Sequence, residues 1–341
     1  MEQRQDRPHK PEFLIRTDAS TDPSIGCPPE QRSIEYLVDT GLINLDKPDD
    51  YVCHDISSMV KEMFAGTRVV KVGHGGTLDP GVTGVLPLAL NRATIVQDML
   101  LSARKEYVGI MHLHGEPGDA SAIQTMIQSF VGKIYQMPPD RSAIKHILRM
   151  REIDYINVLE INGRNVLFKV GCEAGTYIRK LCVDIGEALG CEAHLQELRR
   201  TRSGCFSEND GTLVTLQDID AAVRAWRDAR DGSKLARLVQ PMERAFTSLQ
   251  RIIIKDAAVD AICRGASVMA DDVVKIEKII EKGNIVAIFT QKGEIVARGK
   301  SLMPAQAVIS AAAGFVARSA KQYMEPGTYP RLVRKGNEKR N

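Results

Sequence analysis

The run from Val69 to Pro87, VVKVGHGGTLDPGVTGVLP, constrains this chain more than any other stretch. An apolar strand opens into a glycine-rich loop that carries one carboxylate, Asp79. Glycines permit left-handed backbone and let the chain approach a neighbour closely. Pro80 and Pro87 stiffen the loop on either side. So much constraint around one acid points to an aspartate held in a fixed pose. An ordinary structural turn is the alternative reading. A phosphate-cradling loop would end in Gly-Lys-Ser/Thr and open a helix. Here the chain continues Val82-Thr83-Gly84-Val85, without a lysine.

At 341 residues the chain favours two domains over one. Its net charge of +3 does not by itself announce nucleic acid. Two local clusters do better: Arg199-Arg200-Thr201-Arg202, after a helix-like segment, and a C-terminal tail running from Arg331 to Arg340. Such clusters pair with phosphates or stay as solvated surface. The seven cysteines are odd in number and form no Cys-x-x-Cys, so reduced thiols of an intracellular protein are expected. Their spacing suits no metal. The charged N-terminus is not followed by an apolar core, which argues against a signal peptide. The longest apolar stretch, near Ala307 to Ala317, is too short to span a bilayer. The expectation is a soluble protein with no membrane role.

Residues 1–35 are polar and proline-rich and read as an extended arm. Residues 41–48 read as a strand ending at Pro48, and Ile56, Met59, Val60 and Met63 recur at helical spacing. Ile95, Val96, Met99 and Leu100 mark another helix, Lys105 to Ile110 begins a strand, and Asp119 to Val131 is helical. Val166, Phe168, Val170 and Cys172 alternate as in a half-buried strand. Ile178, Leu181, Cys182, Ile185 and Leu189 then define an amphipathic helix starting near Thr176, read as its N-cap. Tyr177 and Arg179 flank the buried Ile178 in its first turn. After about residue 250 the composition shifts. A strand, a short helix from Asp256 to Arg264 and a hairpin about Gln291-Lys292-Gly293 predict a small β-barrel of about 75 residues.

Taken together, four segments resemble the motifs of the TruB and dyskerin family of pseudouridine synthases. They are Gly73-His74-Gly75-Gly76-Thr77-Leu78-Asp79-Pro80, Lys105-Glu106-Tyr107, Gly175-Thr176-Tyr177-Ile178-Arg179 and His194 to Arg200. The segment from Ile254 to Ala266 and the following hairpin resemble a PUA domain, an RNA-binding barrel. The likeness covers roughly residues 36–330. It implies an α+β pseudouridine synthase fold: a mixed, mainly antiparallel sheet with flanking helices and a central cleft, plus a small C-terminal PUA barrel. The expected division is an arm over 1–35 that packs on the PUA domain, a catalytic domain over 36–250, the PUA domain over 251–327 and a basic tail over 328–341.

The resemblance also implies roles. Asp79 is the catalytic carboxylate acting at the ribose, as nucleophile or as base. Such an acid must be ionised and dry, and Arg179 supplies an ion pair that fixes it. Tyr107 stacks on a flipped-out base and accepts the proton from its carbon. Leu198 forms the apolar wall opposite that ring. Tyr177, His74 and Lys47 are substrate-binding, and Arg264, Gly265 and Ala266 touch guide RNA. No metal or cofactor is implied.

Two departures matter. Where much of the family has Gly-x-Thr-Ser-His after Lys-Pro, this chain has Asp49-Asp50-Tyr51-Val52-Cys53-His54. From Met137-Pro138-Pro139 the chain reaches Arg151 without the longer insertion by which stand-alone bacterial members clamp transfer RNA. With the polar arm, this resembles the archaeal and eukaryotic branch. That branch works with box H/ACA guide RNA, small companion proteins of the Nop and Gar types and a kink-turn-binding ribosomal-type protein. The tails lack long lysine tracts, which favours an archaeal, cytoplasmic member. The expected activity is guided conversion of uridine in ribosomal RNA, possible also on transfer RNA. The alternatives are a stand-alone synthase for the TΨC-loop uridine of transfer RNA and a silent RNA-binding scaffold.

Overall fold

The computed structural model describes residues 11–137 and 147–331. The start of the arm, the segment Pro138–His146 on which the missing clamp is judged, and the tail beyond Arg331 lie outside the described residues. Ser33–Ala245 form one compact unit, and the described residues before and after it form a second.

After β1 (Phe13–Ile15), which belongs to the second unit, the strands of the first follow in chain order. They are β2 (Gly41–Lys47), β3 (Val72–His74), β4 (Val82–Leu90), β5 (Lys105–Leu113), β6 (Gly132–Gln136), β7 (Arg149–Asn162), β8 (Asn165–Cys172), β9 (Ala193–Ser203), β10 (Phe206–Ser207), β11 (Leu213–Val214) and β12 (Val239–Pro241). Their spatial order is β11-β2-β4-β9-β5-β8-β7-β6, with β3 on β4, β10 on β9 and β12 on β2. Only β11 with β2 and β4 with β9 pair in parallel, so the sheet is mixed and mainly antiparallel.

β4 is a nearly continuous buried apolar run, as expected of a strand covered on both faces. It begins at Val82, so the loop is shorter than the sequence suggests. Pro87 is not a loop residue; it lies within β4 opposite Asn44, and its carbonyl accepts the Gly75 amide at 2.7 Å. β9 carries no clear strand signal, because Gln196, Glu197, Arg199 and Arg200 interrupt its apolar positions. Two neighbours, β4 and β5, make it a strand by pairing with it.

The helix Ile178–Ala188 buries Ile178, Leu181, Cys182 and Ile185, the stripe read from the sequence. Its N-cap is Tyr177 rather than Thr176, whose hydroxyl donates instead to the Glu173 carbonyl at 2.8 Å. Two apolar cores serve this unit. One gathers Ile43, Leu45, Ile56, Val60, Leu86 and Leu88; the other gathers Met111, Phe168, Val170, Leu181 and Ile185. Tyr107 and Leu198 are the partly buried residues that pack against both.

The second unit contains β13 (Gln250–Ile254), β14 (Val268–Met269), β15 (Val273–Glu277), β16 (Ile285–Thr290), β17 (Ile295–Ser301) and β18 (Phe315–Gln322), with the helix Asp256–Cys263. Its sheet runs β1-β15-β13-β16-β17-β18-β14. The arm is therefore not wholly irregular: β1 extends this sheet, with Phe13 opposite Glu277 and Ile15 opposite Lys275. Buried Glu294 accepts hydrogen bonds from the Cys27 amide, the Thr290 hydroxyl and the Tyr329 hydroxyl, at 3.0, 3.0 and 2.6 Å. One carboxylate thus ties the arm to the hairpin and to a C-terminal segment. All seven cysteines are free thiols.

Candidate active site

Asp79 lies in the loop joining β3 to β4, and Arg179 in the first turn of the helix Ile178–Ala188. Arg179 Nη2 stands 2.7 Å from Asp79 Oδ2. The two side chains are 59 % and 54 % exposed, so the pair expected to be dry is wet in the chain alone. Water leaves only if a ligand covers it. Buried Gln136, at the end of β6, holds the turn before the helix from both sides. Its Oε1 accepts the Tyr177 amide at 2.9 Å and its Nε2 donates to the Tyr177 carbonyl at 3.1 Å.

The back of the Asp79 loop is built differently. The Cys53 thiol accepts the Leu78 amide at 3.1 Å and donates to the Leu78 carbonyl at 3.5 Å. Lys47, expected to meet substrate, has no exposed surface. Its Nζ donates to the carbonyls of Pro48, Pro80 and Val82 at 2.8, 2.8 and 2.9 Å. It fixes the loop and cannot touch a ligand. Burial lowers its pKa, opposed by the nearby carboxylates of Asp49 and Asp50.

Tyr107 and Gly109 of β5 stand opposite Arg200 and Leu198 of β9, which in turn stand opposite Gly84 and Val82 of β4. These residues share one face of the sheet. A methyl group at Gly84, where φ is +101°, would lie 2.2 Å from the Arg200 carbonyl oxygen. Only glycine permits this close approach. Gly109 leaves room for the Leu198 side chain in the same way. Burial raises the Tyr107 pKa, Arg200 opposes that rise, and the Asp79 charge also reaches the phenol.

His74 closes β3 partly buried, with Nδ1 enclosed and unpartnered. Burial, with the charges of Arg200 and His54, lowers its pKa. Lys105 is buried and donates to the carbonyls of Leu100, Leu101 and Ala103 at 2.9, 2.9 and 2.6 Å. Burial pushes its pKa down to about 7, and Arg200 adds to that effect.

The basic run 199–202 is not a phosphate-facing patch. Arg199 pairs with Asp46 and Glu208 at 2.9 and 2.8 Å, Arg202 reaches Glu106 at 4.0 Å, and Arg200 is buried. In the second unit, the amides of Arg264, Gly265 and Ala266 donate to the last carbonyls of the helix Asp256–Cys263. These amides are engaged at the helix end, while Arg264 and Gly265 themselves are exposed. The Arg264 guanidinium is half-exposed but pairs with buried Asp260 at 2.9 Å. Sequence reasoning missed Lys105, Gln136 and the burial of Arg200; only their places in the sheet reveal them.

Residues 61–178 match the N-terminal domain model of TruB family pseudouridylate synthases, and 179–247 match the tRNA pseudouridylate synthase B C-terminal domain. Residues 250–322 match the PUA domain, and 8–57 the DKCLD (NUC011) domain. A probable tRNA pseudouridine synthase B of Methanopyrus kandleri is 50% identical over 320 residues, covering 94% of this chain and 93% of that protein. Its counterpart in Pyrococcus abyssi is 47% identical over 325 residues, covering 95% and 96%. Among solved structures, a Cbf5-Nop10-Gar1 complex contains a chain 46% identical with a TM-score of 0.86, covering 95% of this chain and 97% of that one. An H/ACA RNP bound to a substrate RNA containing 2'-deoxyuridine contains one 43% identical with a TM-score of 0.87, covering 96% and 100%. The chain belongs to the TruB family of pseudouridine synthases, isomerases that act on uridine in RNA.

Proposed function

We propose that Asp79 acts at the ribose of the target uridine and that Arg179 holds its carboxylate in place. The contact of these two side chains, next to a tyrosine and a leucine on one sheet face, is the observation that carries this reading. Tyr107 stacks on the flipped base and accepts the carbon-bound proton, and Leu198 walls the other side. Tyr177, two residues from Arg179, and His74, at the start of the Asp79 loop, border the same site. Lys47 acts through the loop it holds.

The reading extends to a box H/ACA guide RNA and small companion proteins in the cytoplasm of an archaeal cell. Its support is likeness along nearly the whole chain to the Cbf5 chains solved with Nop10 and Gar1 and with substrate RNA. The second unit then anchors the guide, with Arg264 as one contact. The names of the curated relatives favour a second reading, direct action on transfer RNA. Conversion of a guided ribosomal target and of transfer RNA, each with and without guide and companions, separates the two. Conversion of the ribosomal target only with guide supports the first; conversion of transfer RNA alone supports the second. No conversion of any substrate would leave the scaffold.

A further inference from the structure

Arg200 is almost wholly enclosed, yet its two hydrogen bonds go to carbonyls rather than to a carboxylate. Nε donates to the Val85 carbonyl at 2.7 Å and Nη1 to the Thr77 carbonyl at 3.3 Å. Nη2 is buried with no acceptor. An enclosed guanidinium donor without a partner is costly, and the cost falls if an anion forms beside it. Arg200 stands directly opposite Tyr107 where β9 pairs with β5, and its charge also reaches His74, Lys105 and Lys47. Of these, only Tyr107 becomes negative when it loses a proton. Cys172 and Asp79 also act electrostatically on the phenol. The buried Cys172 thiol, pushed up to about 12, stays neutral, and Asp79 is engaged by Arg179.

We infer that Arg200 is a positioning residue for proton removal: it orients the Tyr107 hydroxyl and stabilises its phenolate, the form able to take a proton from carbon. The inference rests on the reading of Tyr107 as proton acceptor. The isomerisation replaces an N1–C1′ bond with N1–H and a C5–H bond with C5–C1′. One proton therefore leaves C5 and one joins N1. The phenolate oxygen takes the C5 proton as the C–H electron pair returns to the ring. The phenol then passes its proton to N1, directly or through water, and the phenolate is restored. Arg200 keeps its charge throughout. Burial opposes the phenolate, and the charge of Arg200 works the other way.

The test uses the full chain on an RNA that it converts. Single-turnover conversion is followed from about pH 6 to about pH 9 in Arg200→Met, Arg200→Lys, Tyr107→Phe and the two double variants. Arg200→Met is expected to slow proton removal about tenfold near neutrality and to move the rising limb about one pH unit higher, with RNA affinity unchanged. Arg200→Lys should fall between, since a point charge replaces a fork. In the Tyr107→Phe background neither change should slow the reaction further. An unmoved pH profile, or an equal loss with and without the Tyr107 hydroxyl, overturns the inference and leaves Arg200 as scaffold. A Tyr107→Phe variant as fast as the unaltered protein overturns the proton-acceptor reading itself. Should Arg200→Met not fold, the Tyr107 resonance is titrated in 3-fluorotyrosine-labelled protein with and without Arg200→Lys. A higher midpoint in the variant supports the inference, and equal midpoints overturn it.

Discussion

Asp79 and Arg179 meet with more than half of each side chain exposed, whereas Lys47, behind the same loop, is sealed from solvent. The front is one ion pair in water. The back is a set of buried donors, Lys47, Cys53 and Arg200, each bonded to loop or strand carbonyls. Exposed ion pairs contribute little to folding, because water screens them. A buried ammonium that satisfies three carbonyls is another matter, since removing it strands all three. The loop is thus held from behind by contacts that do not exchange with solvent. Its reactive face remains free to trade water for RNA.

Substitutions at four positions sharpen or break this contrast. Asp79→Asn should abolish conversion, by at least about a thousandfold, if the carboxylate does the chemistry. RNA affinity should stay nearly intact, because phosphate contacts elsewhere supply it. Binding and single-turnover assays on the same preparation check both, and turnover near that of the unaltered chain would remove Asp79 from the mechanism. Arg179→Ala should cost roughly a hundredfold in rate while changing stability by less than about 0.5 kcal/mol. Arg179→Lys should recover only part of the rate. A large loss of stability in either would show that the front also supports the fold.

Lys47→Met should do the reverse and lower the unfolding free energy by about 2 kcal/mol, since three carbonyls lose their donor. Urea denaturation measures it, and an unchanged midpoint would mean that the loop stands without its back. The smallest effect concerns pH. The Lys105 ammonium titrates near about 7 in the fold and about 10.4 when unfolded. Between these values the unfolded chain holds a proton that the folded chain lacks, so stability rises with pH through that window. Relative to Lys105→Met, the unaltered protein should gain about 1 kcal/mol between about pH 7 and pH 8. Parallel stability curves would mean that the three carbonyls keep the ammonium charged.

Local patterns explain what could be read in advance. The Asp79 loop, the buried stripe beneath Arg179 and the alternation around Phe168 are written in consecutive residues. They appear as a loop, a helix and a strand within a residue or two. Lys47 was misread because its neighbour in space, Pro80, lies a whole helix and strand later in the chain. Arg200 looked like part of a basic surface because its burial depends on β4 and β5 closing over both edges of β9. Phe13–Ile15 looked like an arm because β15, which makes it a strand, is at the far end of the sequence. Periodicity describes a segment; it does not name the segment's partners.

The placement of β1 has a consequence for synthesis. Glu12, beside β1, meets Lys278, 266 residues further along. At about 5–20 residues per second, the ribosome needs on the order of tens of seconds to deliver that partner. Meanwhile Phe13, Leu14 and Ile15 are exposed on a nascent chain whose other unit, Ser33–Ala245, is complete first. Among the described residues, the first strand made is among the last to pair. Over that interval the chain offers a short apolar edge to any sheet it encounters, including that of another copy.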